Sequence, residues 1–438
     1  MQSLDRRTFV KNSGLAVGGL VLAPSLLAAK AHIDGSDAIK VGLIGCGGRG
    51  TGAAVQAMST SQNVQLVAMA DAFRDNVDNS YQQIKGELEN NGIALDKLQV
   101  PEEHKFAGFD AYKKVIPLCD VVILATPPGF RPEHFEAAVK AGKHVFMEKP
   151  VAVDGPGVRR VLAAAQVAKE KKLNVVVGLQ RHYQNQYLGW VELLQEGVIG
   201  DIVTSHVYWN GDGVWVRERK PGQTEMEYQM RNWYYFNWLC GDHITEQHIH
   251  NLDVSNWVKQ AYPVKAQGMG GRQFRIGKDY GEIYDHHFVE FEYADGSRMF
   301  SQCRHIPNTQ FSVTESFQGT SGFAPEPGVI KTRSGYVVLK HNTKNDPNPY
   351  QVEHDVLFEA IAKGEYRFAD AENAAKSTLT SIMGRMATYS GLVIEWDAAL
   401  NSEMDLMPEK LAWDANPKVL PGKDGLYPAA IPGFTKVL

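Results

Sequence analysis

Cysteine is scarce in this sequence: Cys46, Cys119, Cys240 and Cys303 are the four in 438 residues. None forms a C-x-x-C pair and the spacings are wide, which argues against a disulfide scaffold and leaves four reduced, buried thiols as the expectation. Long apolar runs are lacking too. The longest, Gly14 to Ala29, is too short to span a bilayer, so no transmembrane segment is predicted. Positive charge is not in excess. The formal net charge is −5, and without the first 31 residues 41 basic side chains face 49 acidic ones, a net −8. Such a chain has no basic footprint for nucleic acid or anionic lipid. Repeats and low-complexity tracts are absent as well. What remains is ordinary globular composition, 44% hydrophobic and 22% charged, long enough for two domains.

The N-terminus carries a targeting pattern. Asp5-Arg6-Arg7-Thr8-Phe9-Val10-Lys11 precedes the apolar run, and Ala28-Ala29-Lys30-Ala31 offers small residues for cleavage. The arginine pair followed by a polar residue, Phe and an aliphatic resembles a twin-arginine signal; a general secretory signal is the alternative. Residues 1–31 are therefore expected to direct export to the periplasm and to leave no membrane attachment once removed.

From Ile39 to Pro150 short apolar runs alternate with helical stretches. Lys40–Ile44, Val64–Ala70, Val121–Ala125 and His144–Met147 read as buried parallel strands, and Arg49–Met58 and Glu133–Ala141 as helices. A helix over Gly155–Lys171 and a strand over Asn174–Gly178 follow. Beyond Ile202, strands are predicted at Ile202–Trp209, Val264–Met269, Phe288–Tyr293 and Met299–Arg304, the last two joined at Ala294-Asp295-Gly296-Ser297. Strands without helices between them imply a largely antiparallel sheet. Tyr350–Ala362 and Ala371–Tyr389 read as amphipathic helices stopped by Gly364 and Gly391, and Arg217–Glu227 and Thr343–Pro349 as loops. The expected architecture is an α/β Rossmann domain over 37–155 and an α+β domain over 156–438 with a large open, mostly antiparallel sheet.

Gly45-Cys46-Gly47-Gly48-Arg49-Gly50 matches G-x-G-x-x-G directly after a strand and at the start of a helix. Gly45 permits the tight turn, Gly47 lets backbone approach a pyrophosphate, and Gly50 lets helix and strand pack closely. Free N–H groups at the helix start then face the phosphates. Asp71, at the end of the second strand, stands where a carboxylate accepts from both ribose hydroxyls and repels a 2′-phosphate, favouring NAD over NADP. It reads alternatively as a helix N-cap, and Arg74 nearby leaves a 2′-phosphate open.

His144-Val145-Phe146-Met147-Glu148-Lys149-Pro150 brings a lysine to the carboxyl end of a strand, where ligands bind in such sheets. An ammonium beside a nicotinamide can polarise a hydroxyl or move its proton, although a solvated loop lysine fits the same pattern. The glycine loop, Asp71, Ala125-Thr126-Pro127, His134, Ala141-Gly142-Lys143-His144-Val145 and Glu148-Lys149-Pro150, in that order, resemble the glucose–fructose oxidoreductase/inositol dehydrogenase (Gfo/Idh/MocA) family. The resemblance implies that Thr126, Pro127, His134, Glu148 and Gln180 line the cofactor with Lys149, and that the Glu148–Pro150 turn carries a cis bond.

The family's second motif is a helix with an Asp and, four residues on, a catalytic His. Aligning His250-Asn251-Leu252-Asp253 puts the proton acceptor at His250 and Glu246 one turn earlier, on one helix face. Glu stands in place of Asp at 246, and His248 stands where Gly is usual, so either the pocket is rearranged or a further group joins the acid–base work. A metal site from His243, Glu246, His248 and His250 competes, but its spacing is not a zinc pattern. No metal is expected. Trp209, Trp215, Trp233, Tyr234, Tyr235 and Trp238, interleaved with Arg217, Arg231, Asn232 and Asp242, suit the C–H faces and hydroxyl edges of a carbohydrate. Arg181, Tyr183, Trp209, Trp215, Arg231, Trp233 and His248 are the candidate substrate contacts.

These readings converge on an NAD-dependent oxidoreductase acting on a sugar or glycoside, a homo-oligomer assembled through its open sheet. An NAD-using glycoside hydrolase, resembling glycosidase family 109, and a non-catalytic sugar or nucleotide sensor are the alternatives.

Overall fold

The computed structural model describes residues 38–438; the leader segment 1–31 lies outside the described residues. The first sheet has six parallel strands: β1 (Ile39–Ile44), β2 (Val64–Asp71), β3 (Lys105–Ala107), β4 (Val121–Leu124), β5 (His144–Met147) and β6 (Val175–Val177). Their order is β3-β2-β1-β4-β5-β6. The chain reverses direction across the sheet between β1 and β4, which opens a ligand crevice at the carboxyl ends there. β4 is a continuous apolar run and β1 one broken only by exposed Lys40, because helices cover both faces. The sheet runs past residue 155, where the first domain was expected to end: helix Gly155–Glu170 and β6 complete it.

The second sheet comprises β7 (Ile202–Gly211), β8 (Lys265–Gly271), β9 (His286–Glu292), β10 (Arg298–His305), β11 (Ser312–Gly319), β12 (Gly322–Glu326), β13 (Val329–Thr332), β14 (Val337–Lys340) and β15 (Ile394–Glu395). Its order is β14-β13-β12-β11-β7-β10-β9-β8-β15. All neighbours are antiparallel except β7 and β10. β9 and β10 form the expected hairpin, whereas β11 to β15 were not foreseen.

Two helices tie the sheets together. Pro349–Ala362 starts at an Asn348 cap and puts Leu357, Phe358 and Ile361 into one cluster with Leu43 and Ile123 of the first sheet. Each such buried side chain stabilises by about 1.5–3 kcal/mol. Ala371–Ser390 packs against both helix Gly155–Glu170 and β8. Expected to be amphipathic, it is buried nearly all round, because Ala, Ser, Thr and Gly let neighbours approach every face. The loop expected over Arg217–Glu227 ends early, because a helix runs over Glu225–Arg231 behind a Thr224 cap. No helix among the described residues is long and apolar enough to cross a membrane.

Candidate active site

β1 ends at Ile44, and Gly45 turns the chain at φ 100°, where a Cβ would stand 2.5 Å from the Ala125 carbonyl carbon. At Gly50 a Cβ would meet Gly45 O at 1.9 Å, so the helix Gly48–Ser59 rests directly on the strand end. The first bond of that helix joins Thr51 N–H to Gly47 O. The N–H groups of Gly48, Arg49 and Gly50 therefore remain for an anion. A Cβ on Gly47 or Gly48 would meet nothing within 4 Å, which leaves open space over the loop. Two loop members have other duties. The Arg49 guanidinium pairs with Glu148 and with Glu353 at 3.0 Å and lies over the Phe146 and Tyr350 rings, so only its backbone faces the loop. Cys46 N–H donates to Asp71 Oδ2 at 2.8 Å.

Asp71 also accepts from Phe73 N–H and Asn76 Nδ2, each at 3.0 Å, so it orders the turn after β2, while the cap of the following helix is Phe73 and not Asp71. Burial raises its carboxyl, against the pull of those donors and of Arg231. Arg74 turns away to Asp78 and Glu102. Arg231, expected in the sugar pocket, instead forms a two-toothed pair with Asp75 (2.8 and 3.0 Å) and lies 3.6 Å over the Phe73 ring. A guanidinium finds a carboxylate and an aromatic face together there, which suits it better than open solvent. Trp413 packs on Phe73 and Phe109 at 4.9 and 4.5 Å and closes the same edge with the C-terminal segment.

β5 delivers Lys149 to the crevice, with the Lys149–Pro150 peptide cis. Lys149 Nζ donates to the Glu246 carbonyl at 2.6 Å and stands 3.2 Å from its Oε1. The expected single helix is broken. His243–Glu246 forms one turn, Gln247 and His248 lie between, and a new helix runs from Ile249 to Lys259. Glu246 and His250 thus do not share a helix face, yet both come to Lys149. His250 is 5% exposed, its Nδ1 has no partner, and Trp209 stacks on it at 6.0 Å. Burial, then the charge of Lys149, holds its pKa well below the usual imidazole value. A neutral imidazole with a free nitrogen is a proton acceptor.

Around this pair, Tyr234 donates to Gln247 Oε1 at 3.3 Å, and Trp215 lies edge-on to Trp233 and Tyr234 at 5.8 and 6.3 Å. Gln180 keeps a buried Oε1 without a partner, after β6. His134 Nδ1 lies 3.3 Å from Thr126 Oγ1, and burial pushes its pKa down to about 3. Pro127 caps the turn Pro128–Phe130 that follows β4. Sequence reasoning missed Arg131. It is 1% exposed, holds the carbonyls of Leu124 and Thr126, and is lowered to about 10 by burial against the charges of Glu148 and Glu246. An arginine in the first turn of a helix, where acids are favoured, was the available signal.

Besides Arg231, three more expected substrate contacts have structural partners. Arg181 turns under the second sheet to pair with Glu315, which is fully buried on β11 and would otherwise be an uncompensated charge. Tyr183 donates to Asp370 at 2.6 Å. His248 is fully buried and shares a 2.8 Å bond with Ser301 of β10. Asn232 accepts from Arg217 N–H and donates to Asp279 O, so it too holds backbone.

The four residues of the competing metal reading are not gathered, since Glu246 faces Lys149 and His248 faces Ser301. Asp242, His243 and His287 do lie with ligand atoms within 4.8 Å of one another. Asp242, however, already accepts from His243 N–H and Nδ1, Tyr284 N–H and Tyr389 OH. Buried Arg275 bonds His305, whose ring lies 4.5 Å from that of His243. A carboxylate supplied with four donors beside a guanidinium is a poor dication cage.

Residues 39–179 match the family described as an oxidoreductase family with an NAD-binding Rossmann fold. The inositol 2-dehydrogenase of Pseudomonas fluorescens (strain SBW25) is 28% identical over 337 residues, 75% of this chain and 87% of that protein. That of Serratia proteamaculans (strain 568) is 28% identical over 305 residues, 68% and 77% respectively. Aldose-aldose oxidoreductase from Caulobacter crescentus and scyllo-inositol dehydrogenase from Lactobacillus casei with bound NAD(H) and scyllo-inositol each superpose with a TM-score of 0.60 at 17% identity. Each covers 82% of this chain and 100% of its own. Crevice, glycine loop and the family match define a Rossmann-fold oxidoreductase. Residues 39–179 carry the NAD-binding Rossmann fold of the Gfo/Idh/MocA family, and the cofactor is NAD. The residues fit it: three free N–H groups under open space, a carboxylate at 71 and the orphaned Gln180 oxygen. Bound NAD supplies a hydride acceptor at the nicotinamide.

Proposed function

We propose that this protein oxidises a CH–OH group of a sugar or polyol, with its proton handled by residues from both halves of the chain. The observation that carries the proposal is the buried meeting of Lys149 from β5 with Glu246, beside a neutral His250. His250 takes the hydroxyl proton, Lys149 donates to the hydroxyl oxygen, and Glu246 holds Lys149 in place. Trp209, Trp215 and Trp233 offer faces for C–H groups. The polyol activity in the names of the sequence relatives supports the substrate class.

The testing experiment incubates the protein with polyols, free sugars and aryl glycosides and analyses products by mass spectrometry. A keto-sugar or keto-polyol supports the proposal. A released aglycone without net oxidation would instead mean transient oxidation, at C3 for example, followed by elimination, hydration and re-reduction. Loss of either product in Lys149→Ala and His250→Ala ties it to this site.

Two further proposals concern setting. Arg6-Arg7 and the run to Ala31 direct export, and the protein carries its NAD along, since free NAD is expected to be scarce outside the cytoplasm. Protein purified without added nucleotide then holds near-stoichiometric NAD(H). The sheet face with part-exposed His206, Tyr208, Phe288 and Phe300, beside a 73% exposed Met269, joins copies into an oligomer, which native mass spectrometry reads directly.

A further inference from the structure

Four arginines are buried among the described residues. Arg131 holds two carbonyls, Arg181 holds Glu315, and Arg275 holds Tyr284 O and His305. The Arg385 side chain, on the central helix Ala371–Ser390 and 5% exposed, makes no hydrogen bond or ion pair among the described residues, and its Nη1 is sealed from solvent. A buried guanidinium without an acceptor is costly, a cost the other three buried arginines avoid.

Arg385 lines a cavity of about 310 Å³ between that helix, the segment Asn237–Cys240 and the C-terminal segment. Its walls are largely apolar, with Trp238, Met386, Leu406 and Val419 among them; two carboxyls stand in the lining, Glu282 and Asp154, the latter taken up by Gly157 N–H and Leu406 N–H. The volume is about twice the roughly 150 Å³ in which an apolar cavity takes up benzene. None of the residues assigned above to NAD or to proton transfer lines it. Asn237 and Tyr389 in its wall bond each other, and Tyr389 also holds Asp242.

We propose that this cavity is a second ligand site, which binds a small organic carboxylate with an apolar body and pairs its carboxylate with Arg385. The guanidinium offers a planar fork that matches a carboxylate, and no side chain of the protein fills it. The apolar walls take the rest of the molecule, as in small-molecule sites with few convergent polar groups. Burial raises the Glu282 carboxyl to about 7. Once protonated, it meets the incoming anion as a donor and not as a like charge. The proposal stands independently of the redox reading.

The test is calorimetric titration of the dialysed full-length protein, with its cofactor, with benzoate, phenylacetate and isobutyrate, and with benzamide as neutral isostere. At least one carboxylate should bind, and benzamide should bind at least about tenfold more weakly than benzoate, the worth of a charge-assisted bond. Arg385→Met should abolish carboxylate binding, keep its NAD(H), and melt higher, because an unpaired buried charge is gone. The proposal is overturned if none of the three acids binds, if benzoate and benzamide bind equally, or if Arg385→Met binds like wild type. Should Arg385→Met fail to fold, the comparison of benzoate with benzamide on the wild-type protein decides alone.

Discussion

The two halves of the molecule build their parts of the site from different materials. In the first, backbone does it: Gly45 and Gly50 allow contacts no side chain permits, and three N–H groups wait at a helix start. In the second, buried side chains do it. His248, Asp242 and Glu315 are polar, enclosed and held by partners far away in sequence, and His250 is enclosed with its Nδ1 left free. A backbone cradle tolerates most substitutions except at its glycines. A side-chain site should fail at single atoms, and should feel pH.

The largest expected effect sharpens that contrast. His250→Ala and Lys149→Ala should each cut turnover about 10²–10⁴-fold, the usual worth of a positioned proton-transfer group. His250→Ala should keep its nucleotide, because the cradle lies in the other half. Activity should also persist below the ordinary imidazole range, since His250 stays neutral there. An acid limb at the ordinary histidine value that His250→Ala removes would contradict the assignment.

Acid stability comes next. Burial holds His243 at about 4, well under its unfolded value of roughly 6.5. As pH falls through 6.5 the unfolded chain binds a proton that the native chain refuses. Stability is therefore full above that value and drops by about 1.4 kcal/mol per pH unit down to about 4, roughly 3 kcal/mol in all. Urea unfolding at several pH values should show His243→Asn with a slope shallower by one proton. An unchanged slope would mean that His243 is charged in the native state.

Gly50→Ala probes the cradle itself. Its Cβ would press on a backbone oxygen that cannot move aside, so a loss of about 1–3 kcal/mol and of bound nucleotide is expected. Thermal melting and nucleotide content read both. The smallest effect belongs to Asp71→Ala, which should narrow the preference for NAD over NADP by about tenfold, one charge-assisted bond's worth. An unchanged affinity ratio would make Asp71 a turn cap alone.

The same contrast explains how far the sequence could be read. β1, β2, β4 and β5, the glycine loop, Asp71 and Lys149 announce themselves locally, because burial on both faces and a turn of fixed geometry leave a contiguous pattern. β11 was missed because a core position holds Glu315, whose burial makes sense only once Arg181 is known to lie against it. Arg231 was placed among the sugar contacts because its partners, Asp75 and Phe73, lie some 156 residues away. The break between Glu246 and Ile249 had no glycine or proline to mark it. Asp242, at φ 69°, folds that segment through contacts with Tyr284 and Tyr389.

On the proposed function, one buried site, split between the two halves, removes hydride and proton from a carbinol. The most direct measurement is a single turnover: protein carrying its own NAD is mixed with the active polyol or sugar and the absorbance of reduced nicotinamide is followed. The wild type should form reduced cofactor at once, while His250→Ala, with equal nucleotide content, should do so about 10²–10⁴ times more slowly. Reduction at equal rates in both proteins would contradict the account.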